Sequence, residues 1–137
     1  MTSSAVDLSY DAADNIVYMS CSALVALTTR EEMVAHFDRV IAFWRRNAGG
    51  RKSYFVVDFD NVDINVSELD FFAEQSKRAH EICAIASVRY GGAPLQRTTA
   101  RLAGMKNRQR SNICDTREQA LAIVRAMKKK SGPPSSK

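Results

Sequence analysis

Tyr54-Phe55-Val56-Val57-Asp58-Phe59-Asp60-Asn61-Val62 decides the architecture, because its first four side chains are apolar and the run stops at an aspartate. A strand with one face in water alternates apolar and polar residues. An unbroken apolar run instead belongs to a strand covered on both faces, as in a sheet carrying helices on either side. Asp58, Asp60 and Asp63 then fall just past the strand's carboxyl end, where α/β sheets place ligands and reactive groups.

Toward the N-terminus, Thr29 stands three residues before Glu32, a capping box that opens a helix. Met33, Phe37, Val40, Ile41 and Trp44 give that helix one apolar face, and Gly49-Gly50 ends it. Further upstream, Val6, Leu8 and Tyr10 alternate with polar residues, Asp11-Ala12-Ala13-Asp14-Asn15 is turn chemistry, and Ile16 to Ala23 is a second β-prone run. The three together predict an N-terminal hairpin.

Toward the C-terminus, Ser67 followed by Asp70 predicts a helix start, with Ser67 as its N-cap. Leu69, Phe72, Ala73, Ser76 and Ala79 form the inner stripe of that helix, and Cys83 to Val88 reads as a strand. Gly91-Gly92 is a turn, Leu95 to Met105 a weaker helix, and Asn112-Ile113-Cys114 a brief edge strand. Thr116 with Gln119 caps a last helix that buries Ala120, Leu121, Val124 and Met127. The predicted order is β-β-α-β-α-β-α-β-α. It describes an α/β protein at the border with α+β, built on a mixed sheet of about four or five strands that begins with a hairpin.

The chain has 137 residues, 45% hydrophobic and 26% charged, which fits one domain over residues 1–130. Residues 131–137, rich in Ser and Pro, are expected to be a disordered basic tail. No apolar run is long enough to span a membrane, and the first residues lack the order of a secretory signal. Cys21, Cys83 and Cys114 are few, odd in number and far apart, which predicts reduced thiols in a cytoplasmic protein. Residues 1–75 carry 6 basic and 12 acidic side chains, whereas residues 76–137 carry 14 basic and 3 acidic ones. Such a bipolar chain attracts an anionic partner at one end or pairs copies head to tail.

These elements resemble a STAS-type domain, specifically the bacterial group of small proteins like the anti-sigma-factor antagonists, whose fold is related to CRAL-TRIO lipid-binding domains. The resemblance runs from Val6 to about Met127. It is carried by the hairpin, by Tyr54 to Val62, by Ser67-Glu68-Leu69 and by Asp115-Thr116-Arg117-Glu118-Gln119-Ala120-Leu121. It implies a STAS-like fold and a non-enzymatic regulatory or scaffold module that binds a protein partner. Antagonists of this group carry Asp-Ser-Ser-Gly-Leu with a phosphorylatable first serine. This chain reads Asn65-Val66-Ser67-Glu68-Leu69, so the modified position corresponds to Val66, which has no hydroxyl. The resemblance therefore implies an interaction edge at Asp58, Asp60, Asp63, Asn65, Ser67 and Glu68, without the usual phosphoswitch.

Three carboxylates at Asp58, Asp60 and Asp63 invite comparison with Mg²⁺ or aspartyl-phosphate chemistry. Phosphoacceptor receivers need acids after their first strand and a lysine near the last, and the segment Asn112 to Asp115 has no lysine. Phosphatases with Asp-x-Asp favour threonine where Val62 stands. Turn and cap hydrogen bonds are the expected use of these acids. His36 and His80 stand alone, without metal-ligand spacing, and are expected at the surface or its boundary. No phosphate loop or nucleophile turn is present. The reading is thus no catalytic residue, no cofactor and no metal.

The alternative function is binding of an anionic ligand, lipid headgroup or nucleic-acid backbone, through Arg97, Arg101, Lys106, Arg108 and Arg110. Tyr90 is the only aromatic residue after Phe72, so base stacking has no support there.

Overall fold

The computed structural model of the protein describes residues 5–92 and 113–131. In chain order they form β1 (Val6–Asp11), β2 (Ile16–Cys21), β3 (Val25–Leu27), α1 (Arg30–Ala48), β4 (Ser53–Asp58) and β5 (Val62–Ile64). A 3₁₀ turn (Val66–Glu68), α2 (Leu69–Cys83), β6 (Ala84–Tyr90), β7 (Ile113–Cys114) and α3 (Arg117–Ser131) follow. The main sheet has the order β1-β2-β4-β6-β7. Only its first pair is antiparallel, with Val6 opposite Cys21 and Asp11 opposite Ile16; the other three pairs are parallel. This is the mixed α/β sheet with an N-terminal hairpin that the sequence predicts.

The central strand explains its own composition. Phe55 and Val57 face the α1–α2 side and join Val17, Met19, Trp44 and Phe72 in one core. Tyr54 and Val56 face the other side and pack with Ile16, Val88, Ala120 and Val124 of α3. A polar residue at any of these β4 positions would be buried without water, which is why the run is unbroken. Each of the fully buried valines, Val17, Val56, Val88 and Val124, contributes about 1.5–3 kcal/mol of apolar burial.

Helix ends follow the predicted chemistry. The Glu32 N–H donates to Thr29 Oγ1 at 3.1 Å, and the Thr29 N–H donates back to Glu32 Oε1 at 3.0 Å. Gly49 closes α1 in the left-handed region at φ 64°, its N–H donating to the Arg45 carbonyl. At α3 the Gln119 N–H donates to Thr116 Oγ1, and Gln119 Oε1 accepts from the Asp115 and Thr116 N–H groups.

Three features differ from the sequence reading. The second hairpin strand stops at Cys21 instead of Ala23, and Val25–Leu27 pairs in parallel with Val62–Ile64 as a separate two-stranded ribbon. Segments of three residues are too short to show a period of two, and their pairing is long-range. Cys83 is the last residue of α2, so helix passes directly into strand at Ala84. The helix expected over Leu95 to Met105, and the tail from residue 132, lie outside the described residues.

Candidate functional site

At the carboxyl end of the sheet the chain leaves β4 through an aspartate turn. Asp58 Oδ1 accepts the Asp60 N–H at 2.8 Å, and the Phe59 N–H donates to the Tyr90 carbonyl at 2.8 Å. Asp60 Oδ1 in turn accepts the Gly92 N–H at 2.8 Å. The two carboxylates therefore satisfy backbone donors of the β4 and β6 exits, as turn-forming aspartates do. Burial raises the Asp58 pKa above its ordinary value; the Asp60 N–H bond opposes that shift and the Asp60 charge adds to it. Gly91 makes this approach possible. Its φ is +75°, and a Cβ there would lie 3.0 Å from Asp60 Oδ1 and 3.1 Å from Asp58 Oδ1.

Asn61, left-handed at φ 69°, then directs the chain into the ribbon, its side-chain amide donating to the Cys21 carbonyl at 3.0 Å. The Val25 N–H donates to the Asn61 carbonyl at 2.7 Å, so β3 is anchored directly on the turn. Asp63 on β5 points outward and is exposed, whereas its neighbours Val62 and Ile64 are buried.

Beyond the ribbon, Asn65 takes the capping role that the sequence suggests for Ser67. Asn65 Oδ1 accepts the Ser67 N–H at 3.1 Å and the Ser67 Oγ–H at 2.7 Å, while its Nδ2 donates to the Thr28 carbonyl at 3.0 Å. Ser67 sits within the 3₁₀ turn and not at a cap, because that turn precedes α2, which begins one residue later than the Ser67–Asp70 spacing suggests. Glu68 pairs with Arg30 at 3.0 Å across to α1, an exposed contact worth little alone.

Asp58, Asp60, Asp63, Asn65, Ser67 and Glu68 thus follow one another along a single turn, ribbon and helix start. Two large apolar side chains accompany them: Leu24, 66% exposed, precedes β3, and Val66, 53% exposed, follows β5. Neither was singled out by periodicity, since an isolated apolar residue between polar ones carries no pattern. Among the described residues no group of three or more His, Cys, Asp or Glu side chains is arranged to hold a metal ion. Arg97, Arg101, Lys106, Arg108 and Arg110 lie outside the described residues. No helix among the described residues is long and apolar enough to cross a membrane.

A second feature lies beneath α1 and α2, where a cavity of about 80 Å³ opens between these helices and the sheet. His36 and His80 line it and are both half-buried, at the boundary rather than on the open surface, two alternatives that the sequence leaves open. Burial, with help from the Arg39 charge, pushes the His36 pKa down to about 4. Burial lowers the His80 pKa as well, and the Arg89 and Lys52 charges add to the effect. Arg89 also lines the cavity. The sequence holds a signal for it: in Ala84–Tyr90, Ser87 and Arg89 are polar residues two apart, on one face of an otherwise apolar strand.

No protein-family model and no curated protein matches the sequence. Among solved structures, the chain is similar to the anti-sigma factor antagonist SpoIIAA in its unphosphorylated form, with a TM-score of 0.51 and 16% identity over 90% of this chain and 98% of that one. It is also similar to the Bacillus cell fate determinant SpoIIAA in the phosphorylated form, at TM-score 0.49 and 14% identity, covering 88% of this chain and 99% of that one. From hairpin to last helix, the chain has the α/β fold of the anti-sigma factor antagonist SpoIIAA, a STAS-like fold.

Proposed function

We propose that this protein is a non-enzymatic regulatory or scaffold module of the cytoplasm that binds a protein partner through the edge running from Asp58 to Glu68. The observation that carries the reading is the exposure of Leu24 and Val66, which flank the ribbon at its two ends, beside the exposed acids Asp60 in the turn and Asp63 on β5. Apolar side chains set among charges suit an interface in which a few anchors supply affinity and charge sets encounter and specificity. The likeness to an antagonist of an anti-sigma factor supports the class of partner. The resemblance in sequence aligns Val66 with the phosphorylatable serine of the anti-sigma-factor antagonists, which implies an edge that is apolar there and is not switched by phosphorylation at that position.

Capture of the tagged protein's partners from nuclease-treated lysate of its own source, at near-physiological salt, tests this reading. One stoichiometric protein is expected, retained by wild type and lost from Asp60→Lys and Val66→Asp variants. Retention by both variants, or binding that disappears with nuclease, contradicts it; the second outcome redirects attention to the basic residues from Arg97 to Arg110.

A further inference from the structure

The cavity under α1 and α2 is walled by apolar side chains such as Phe55 and Phe72, interrupted by Ser76, His80, Ser87 and Arg89. Ser87 and Arg89 flank Val88, which packs on the α3 side, so the alternation of β6 turns both polar side chains toward the cavity. Arg89 is the anomaly. Its guanidinium carbon lies 5.7 Å from the Phe59 ring centroid, and among the described residues no carboxylate is ion-paired with it. The segments outside the described residues contain no Asp or Glu that might fill the role. Burial depresses the Arg89 pKa with no neighbouring carboxylate opposing it, yet an arginine keeps its proton under all ordinary conditions.

A half-buried cation without a counter-charge is destabilising, and an entering anion offsets that cost. We propose that this cavity is a binding site for a small aliphatic carboxylate. Its two oxygens take the guanidinium fork of Arg89, and its hydrocarbon body packs against Phe55 and Phe72. Inorganic phosphate fits less well, because it carries more charge than one guanidinium neutralises and its further oxygens would meet walls that are mostly apolar. A volume of about 80 Å³ is roughly half that of a cavity known to admit benzene, which suits an acid of about three to five carbons. The cavity borrows the buried Phe59 and Val62 from the segment Asp58 to Glu68 but uses none of its exposed side chains, so the proposal stands or falls without any protein partner.

The test is an NMR titration of the isolated protein with sodium butyrate, following the Ser87 and Arg89 amides and the Arg89 side-chain Nε–H. Butyrate is expected to give saturable shifts. 1-Butanol and inorganic phosphate should each bind at least about tenfold more weakly, a difference set by the charge pair and the apolar walls respectively. Arg89→Met should keep the fold, since it removes an uncompensated charge, and lose butyrate binding by at least about tenfold. Arg89→Lys, which keeps the charge but not the fork, should weaken binding by about threefold or more. Hexanoate and decanoate then separate the sources. Affinity that rises with length identifies the carboxylate of a longer acyl chain leaving through the mouth, and affinity that peaks at butyrate identifies a free short acid. No saturable shift below about 50 mM butyrate, equal binding of 1-butanol, or unchanged binding by Arg89→Lys overturns the proposal.

Discussion

Asn15 joins the hairpin turn to the central strand through more hydrogen bonds than any other side chain of its size in the turn, and its replacement by alanine gives a magnitude that can be worked out. The residue is 6% exposed and left-handed at φ 57°. Its Oδ1 accepts Tyr10 Oη–H at 2.8 Å and Ser53 Oγ–H at 2.7 Å, and its Nδ2 donates to the Lys52 carbonyl at 2.9 Å. In Asn15→Ala the Ser53 hydroxyl keeps a second acceptor, the Arg51 carbonyl at 2.9 Å, and half-buried Tyr10 can turn to water. The Lys52 carbonyl loses its side-chain donor, which costs about 1–3 kcal/mol. Alanine in the left-handed region adds about 1 kcal/mol relative to asparagine. The expected loss is therefore about 2–4 kcal/mol. Asn15→Gly forfeits the same hydrogen bonds without the backbone strain and should lie about 1 kcal/mol above the alanine variant. Urea denaturation at neutral pH, with unchanged m values, measures both. A loss below about 1 kcal/mol for alanine, or a glycine variant no more stable than alanine, refutes the reasoning.

Other consequences follow from the same structure. Gly91→Ala combines a positive φ with a Cβ placed against two carboxylates; denaturation should show about 1–3 kcal/mol lost, and a neutral result contradicts the described turn. His36 is kept neutral in the fold, with a pKa pushed from 6.5 to about 4, so the unfolded chain takes up its proton first as pH falls. Its share of stability is complete above about pH 6.5 and is withdrawn by up to about 3 kcal/mol as pH drops to about 4. The stability difference between wild type and His36→Phe should accordingly change across that window, and a flat difference contradicts the burial. Thr29→Ala removes the acceptor for the Glu32 N–H and should destabilise by about 0.5–2 kcal/mol in the same assay, without altering the folded spectrum.

Much of the fold could be read from local pattern. The capping residues Thr29 and Thr116, the left-handed Gly49 and the double-sided run at Tyr54 act through neighbours in sequence, and the structure uses each as expected. The ribbon of Val25–Leu27 with Val62–Ile64 could not be read that way, because its hydrogen bonds join segments far apart in the chain. Ser67 illustrates the same limit at the candidate site. Its own spacing to Asp70 favours a cap, but Asn65 is tied to the Thr28 carbonyl by the ribbon and so captures the Ser67 N–H first. Burial of His36 and His80 depends on how α1 and α2 close over the sheet, which single-helix patterns do not encode. Arg89 was legible in principle, through its period with Ser87, but only once Ala84–Tyr90 is known to be covered on both faces.

The central claim is that a protein partner sits on the edge formed by the turn, the ribbon and the start of α2. Site-specific photo-crosslinking in the source cells measures this most directly, with the photoreactive group placed at Val66 and, as control, at Ala122 on the exposed side of α3. The account predicts one discrete protein adduct from position 66, abolished by Asp60→Lys, and none from position 122. Adducts from position 122 alone, or from neither position while the protein remains folded, would contradict it.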